Sequence, residues 1–347
     1  MNRRVNKIIS LFLVLICLIS LTSCGKQDRL YSKDAFLMGT IINLKYYGKN
    51  GEKALEESIK IIENIENSMS LTLKDSDINK INKEAQNSPI ELNDDMYNVI
   101  ERALYYSKLS DGSLDISVRP VDKLWAIGTE NERVPDKSEI KNNLKYVGYE
   151  NIELHKENKS ISFKKDNMEI DLGAIAKGYT ADKLVDILKK YKVERALINL
   201  GGNLYIYGGK ENGDSLNIGI QDPKKDKGEY FATLRIKDKS VVTSGNYERY
   251  FEKDGKRYHH IIDPKTGYPA ENGLISTTII SDKSMDGDAL STATYVLGLE
   301  KSIKLINSLE NVEAVFVTSD KKVYTTKGLN KENFNLSNKE YIYEEGR

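Results

Sequence analysis

The most constrained stretch of the chain runs from Ser244 to Pro269. An extended segment, a tight turn and a second extended segment lead into Asp263-Pro264-Lys265-Thr266-Gly267. Proline there presets φ and glycine accepts a positive φ, so the turn is fixed. Residues just before a fixed turn are held in place. They include His259 and His260, two of only three histidines in the chain. Histidine is the side chain whose proton moves most easily near neutral pH. Alone, the stretch fits a surface hairpin with a hydrogen-bonded histidine as well as a catalytic one.

The chain has 347 residues, enough for one large domain or two smaller ones. Its 52 basic and 52 acidic residues balance, which argues against a nucleic-acid binder driven by overall charge. The N-terminus reads as a targeting segment. Arg3, Arg4 and Lys7 form a basic region, and Ile8 to Leu21 an apolar run too short to span a membrane comfortably. Small residues directly before Cys24 resemble the lipobox of bacterial lipoproteins. On this reading residues 1–23 are a signal peptide, Cys24 is lipidated, residues 24–32 form a tether and residues 33–347 the functional domain. The alternative is an uncleaved anchor with an incidental cysteine. Cys17, the only other cysteine, falls in the removed segment, leaving no thiol for a disulfide or a thiolate metal site. Three histidines also argue against a His-rich zinc site. Any metal should be a hard cation held by oxygen, such as Mg²⁺.

Strand and helix patterns are interspersed along the chain. Ala35 to Tyr46 reads as a strand interrupted at Met38-Gly39-Thr40. Gly51–Ser68, Asp94–Ser110 and Gly178–Tyr191 have helical apolar spacing. Ile152–Phe163, Met168–Leu172, Ala196–Leu200, Leu274–Ser281 and Val312–Thr318 read as strands, and Asp288–Leu297 as a helix. The expected fold is α+β, with antiparallel or mixed sheets flanked by helices and two subdomains meeting at a ligand cleft.

Four stretches pair a strand end with small residues and a fixed polar group. The first is Ser113-Leu114-Asp115. The second runs from Asp171 to Gly178, with glycine and alanines before a helix. Helix N-termini bind phosphates through free N–H groups and the dipole, and Lys177 adds charge. A packing turn with an exposed lysine reads equally well. The third, Gly201-Gly202-Asn203, lacks G-x-G-x-x-G spacing, so a Rossmann dinucleotide site is not supported. In the fourth, Asp288 and Thr292 lie four apart and share a helix face. A carboxylate and a hydroxyl one turn apart suit a hard cation. The alternative is that Asp288 is an acidic N-terminal cap.

Together with the hairpin, these stretches resemble the ApbE family of flavin transferases. The matching segments are Met38-Gly39-Thr40, Asp115–Val118 with Pro120, Asp171–Gly178, Ile198–Asn203, Ser244–Pro269, and Asp288–Thr292 with Val296-Leu297-Gly298. They fall in the family's order and cover most of the chain beyond the signal segment. The resemblance implies that FAD is cleaved at its diphosphate, FMN passes to a threonine or serine hydroxyl of a target protein, and AMP leaves. It places Mg²⁺ on the diphosphate, held by Asp288, Thr292 and the main-chain oxygen of Ala174. It gives FAD contacts at Met38, Ser113, Leu114, Asp115, Asp171, Lys177 and Ile262, and a general base at His260. Adjacent residues of an extended segment face opposite sides, so only one of His259 and His260 can face a cleft, and the family motif selects His260. The implied partner is an extracytoplasmic electron-transfer protein of a membrane redox complex. The enzyme itself would be lipid-anchored on the extracytoplasmic face of the cell membrane.

Two positions depart from the pattern. Thr72 stands near where some members carry an aromatic residue, and Arg119 where glycine is common. Arg119 would either add charge near the ligand or point to solvent. Two other readings use the same site: hydrolysis of FAD to FMN and AMP, or a non-catalytic FAD-binding lipoprotein.

Overall fold

The computed structural model describes residues 29–226 and 228–344. Residues 1–23, expected to be a signal peptide, and Cys24 lie outside the described residues. The fold is α+β. Nine strands form one sheet whose spatial order follows the chain: Leu30–Leu37, Thr40–Tyr47, Arg195–Leu200, Asn203–Tyr207, Lys239–Gly245, Leu274–Ser281, Val312–Thr318, Lys322–Thr325 and Ile342–Glu344. Neighbours pair antiparallel except the last two, which are parallel.

Alternation along each strand divides the core into two layers. Ile42, Leu44, Tyr46, Ile198 and Leu200 pack on the helices Gly51–Met69 and Ala176–Lys190 through Ala54, Ile62, Ala181 and Leu184. Ile279, Ala314 and Phe316 extend that face beneath the helix Ser284–Leu297. Ile206, Val241, Ile280, Val315 and Val317 face the other way. They meet Phe231, Leu234 and Ile236 of a three-stranded sheet built from Leu216–Gln221, Tyr230–Ile236 and Phe334–Leu336. Residues 48–194 are an excursion between the second and third strands of the large sheet, and they carry a second three-stranded sheet, Ile90–Glu91, Ser160–Phe163 and Ile152–His155. Among the described residues no helix is long and apolar enough to cross a membrane.

Two helix starts meet at the centre of the molecule. At Gly178 a Cβ would lie 2.3 Å from the Ser284 carbonyl oxygen. Close by, the Asp182 carboxylate accepts the N–H groups of Ser284 (2.8 Å) and Met285 (3.0 Å), so one helix caps the other. Burial pushes the Asp182 carboxyl up to about 6. We expect Gly178→Ala to push the helices apart at a cost of about 3 kcal/mol. A calorimetric scan should show a fall of several degrees in Tm, and an unchanged Tm would contradict the contact.

Several sequence expectations need correction. The strand expected from Ala35 to Tyr46 is a hairpin. Met38 (φ 54°) and Gly39 (φ 66°) form its two-residue turn, with Leu37 paired to Thr40. Its first strand begins at Leu30, inside the expected tether. Ile152 to Phe163 is likewise two paired strands. Met168–Leu172 is not a strand. Its backbone is served by a side chain: Asn82 accepts from Ile170 N–H (2.7 Å) and donates to the Ile170 carbonyl (2.9 Å). Ser113–Asp115 follows no strand; Asp115 instead opens the 3₁₀ turn Ile116–Val118. The helix expected from Asp288 begins at Ser284, so Asp288 sits in its second turn and is not its cap.

Candidate active site

One cavity of about 760 Å³ gathers the sequence-selected residues. Ser113, Leu114, Asp115, Asp171, Ala174, Lys177, His260, Ile262, Asp288 and Thr292 all line it, although they come from three separate stretches and the segment at the hairpin. Met38 is the exception. Its side chain packs between two apolar clusters, and its N–H donates to Glu66 at 2.7 Å. The turn it starts sends Gly39 and Thr40 to the cavity instead.

The hairpin Tyr250–Lys253/Lys256–His259 holds one wall in register, and the residues at its base, Tyr247, Glu248 and Arg249 on one side and His260, Ile261 and Ile262 on the other, line the cavity. The Asp263–Gly267 turn is closed by Gly267 N–H to the Asp263 carbonyl (2.8 Å) and tied down by Trp125, whose indole N–H donates to the Gly267 carbonyl (2.8 Å). Trp125 is fully buried beside the rings of Tyr258 and Tyr268. The two histidines then diverge as extended backbone requires. His259 is buried, with Nε2–H donating to the Ala270 carbonyl (3.1 Å) and Nδ1 accepting from Ile261 N–H (3.3 Å). Both its nitrogens are spent on structure. His260 opens onto the cavity. Its Nδ1 lies 3.2 Å from the Arg249 carbonyl, which can only accept, so Nδ1 carries the hydrogen and Nε2 keeps a lone pair. Desolvation by the surrounding protein, then the positive charges of Arg249 and Lys177, push the His260 pKa down to about 4, although the ring keeps an exposed face. The ring is therefore neutral across the physiological range.

Opposite lies Asp288, buried, with Oδ2 accepting the Gly178 N–H at 2.8 Å. Its Oδ1 is 3.9 Å from Lys177 Nζ, and Lys177 also donates to the Gly173 carbonyl at 3.1 Å. Ser244 Oγ is 2.8 Å from Ser291 Oγ and 3.5 Å from Thr292 Oγ1. The helix N-terminus is thus less free than its sequence implies. Ala176 N–H bonds to the Leu172 carbonyl and Gly178 N–H to Asp288. Among the described residues no group of three or more His, Cys, Asp or Glu side chains could hold a metal. The remaining donors, Asp288 Oδ1, Thr292 Oγ1 and the Ala174 carbonyl, are all oxygen. That set fits a hard cation which takes its other ligands from water and phosphate.

The third wall carries Asp115, whose Oδ1 accepts from Ser117 N–H (2.8 Å) and Ser117 hydroxyl (2.7 Å), and Oδ2 from Tyr149 N–H (2.9 Å). Burial outweighs these bonds and raises its pKa. Asp122 is raised much further, by burial and then by nearby Asp171. Arg119 lines the cavity with its Nε–H buried and without a partner. The Nδ2 of buried Asn203, on the cavity wall, is another donor without a partner. Two such donors suit a ligand rich in acceptor oxygens, and Arg119 lines the cavity. Thr72 is exposed and outside the lining, its hydroxyl 2.9 Å from Ser70 Oγ. Trp125 and Tyr247 are the aromatic residues lining the cavity. Sequence reading missed Tyr247, Arg249, Asp122 and Trp125 as lining residues. Tyr247 and Arg249 sit in the turn between two strands, where neither helical nor strand periodicity assigns a face.

The model of the ApbE family matches residues 38–316. The chain belongs to the ApbE family. It is 38% identical over 297 residues to the FAD:protein FMN transferase of Klebsiella pneumoniae, covering 86% of this chain and 92% of that one. It is 36% identical over 337 residues to the Treponema pallidum protein of the same name, covering 91% and 93%. The crystal structure of the ApbE protein from Thermotoga maritima superposes with a TM-score of 0.80 at 32% identity, covering 86% of this chain and 98% of that one. Vibrio cholerae flavin transferase ApbE superposes with a TM-score of 0.75 at 25% identity, covering 89% and 96%. The cavity described above lies within an ApbE fold that spans most of the chain.

Proposed function

We propose that the chain is a Mg²⁺-dependent FAD:protein FMN transferase. It moves FMN from FAD onto a threonine or serine hydroxyl of an extracytoplasmic target and releases AMP. The observation that carries this reading is the convergence, in one cavity, of a neutral histidine with a free Nε2 and a lysine–carboxylate–hydroxyl group. The names of the relatives support the same reading.

The chemistry follows from the placement. The acceptor oxygen bonds to the FMN phosphorus as the P–O bond to AMP breaks. His260 Nε2 takes the hydroxyl proton. Lys177 offsets diphosphate charge, and Asn203 Nδ2 and Arg119 supply unspent donors. Asp288, Thr292 and the Ala174 carbonyl would hold Mg²⁺, which when bound neutralises and orients the diphosphate. Gly202 (φ 94°) would tolerate a close ligand, since a Cβ there would meet nothing within 4 Å.

The reading includes lipidation at Cys24, an extracytoplasmic membrane location, and an acceptor belonging to a membrane redox complex. Incubating the soluble domain with FAD, Mg²⁺ and a candidate acceptor should yield acceptor heavier by one covalent FMN, read by mass spectrometry. Free FMN with unmodified acceptor would make the chain an FAD hydrolase, and intact FAD a flavin carrier.

A further inference from the structure

Arg249 has no assigned role, yet it stands beside the base. The hairpin pairs Tyr250 with His259, and the next rung sets Arg249 opposite His260, whose N–H donates to the Arg249 carbonyl at 3.1 Å. Directly opposed residues of an antiparallel pair project to the same face, with Cβ atoms roughly 5 Å apart. Both residues line the cavity. The guanidinium reaches between two turns of other segments: Nη2 is 3.5 Å from the Gly39 carbonyl, and a Cβ on Gly128 would lie 3.9 Å from Arg249 Cδ. No carboxylate among the described residues pairs with it, and the Gly39 contact is long. A guanidinium has five N–H donors in a planar fork suited to phosphate oxygens, so most of this fork is unspent. Lys177, which also lines the cavity, is already engaged with Gly173 and Asp288.

We propose that Arg249 is a second catalytic cation, donating to the non-bridging oxygens of the FMN phosphate while His260 takes the acceptor proton. This rests on the transferase reading. The bond changes are those given above, and Arg249 donates hydrogen bonds without losing a proton. A cation placed there acts where charge shifts during transfer, so its removal should lower turnover more than FAD affinity. It also carries positive charge beside His260 and so favours the neutral base.

The test compares Arg249→Met and Arg249→Lys with wild type, using FAD affinity by flavin fluorescence and turnover on an acceptor protein. Arg249→Met should lose about 100-fold in kcat with FAD affinity changed less than about tenfold. Arg249→Lys should be intermediate, and added guanidinium ion should restore part of the Arg249→Met rate. Wild-type kcat in Arg249→Met would overturn the proposal, as would a loss confined to FAD affinity, or a low rate that neither lysine nor guanidinium improves. Wild type is the control for the underlying reading. If it transfers no FMN, that reading fails; if it does and Arg249→Met matches it, only this inference fails.

Discussion

Replacing His260 by alanine is expected to leave FAD binding near wild type and to lower FMN transfer by about a thousandfold, within the range for general-base removal. The geometry gives the reason. Nδ1 is committed to the Arg249 carbonyl, so Nε2 is the only nitrogen of this ring able to take a proton from an incoming hydroxyl. The pH dependence follows with its sign. The pKa of His260 is depressed to about 4, so the neutral, proton-accepting form prevails above that value and is lost as pH falls through it. The acidic limb of kcat/KM should therefore lie near pH 4 and not at the 6.5 of a free histidine. His260→Ala should lose that limb along with the rate. A variant that still transfers FMN at the wild-type rate would remove His260 as the base. His259 provides the contrast. Its substitution should lower Tm, because its bonds to Ala270 and Ile261 hold the turn and reach no ligand.

Local chemistry and tertiary pairing were not equally legible in the sequence. Asp263-Pro264-Lys265-Thr266-Gly267 determines its own backbone, so the wall carrying His260 could be read directly, and alternation separated His260 from His259. Asp171–Gly178 was legible as a turn entering a helix, but not the fate of its N–H groups. The acceptor for Gly178 N–H is Asp288, 110 residues away. Asp288 resembled a helix cap because Ser284-Met285-Asp286-Gly287 carries little helical signal of its own. Asp182, on another helix, caps that segment and lets the helix start a turn earlier. Met168–Leu172 has strand-like apolar alternation, yet its backbone is satisfied by Asn82 rather than by a ladder. Arg249 became visible only with the hairpin register. Asp254 (φ 53°) and Gly255 (φ 73°) make the two-residue turn that sets it opposite His260.

Substituting Asp288 by asparagine should raise the Mg²⁺ concentration needed for half-maximal transfer by at least about tenfold. Asparagine keeps the shape and can still accept the Gly178 N–H, so the helix contact survives and the lost quantity is charge. Alanine is the harsher change. It also leaves that buried N–H without an acceptor, at about 1–3 kcal/mol, and removes the carboxylate 3.9 Å from Lys177. A second readout needs no turnover. Without divalent cation, the Asp288 carboxylate faces the diphosphate as like charge against like charge. Asp288→Asn should then bind FAD as tightly as wild type, or more tightly. Adding Mg²⁺ should reverse the order, because binding of the cation and of the diphosphate are coupled, and the coupling is reciprocal. Titrating FAD by fluorescence with Mg²⁺ and then with a chelator measures both halves. If Asp288→Asn responds to Mg²⁺ as wild type does in both titrations, Asp288 is not a cation ligand. Its bond to Gly178 would then be a purely structural tie between the two helices.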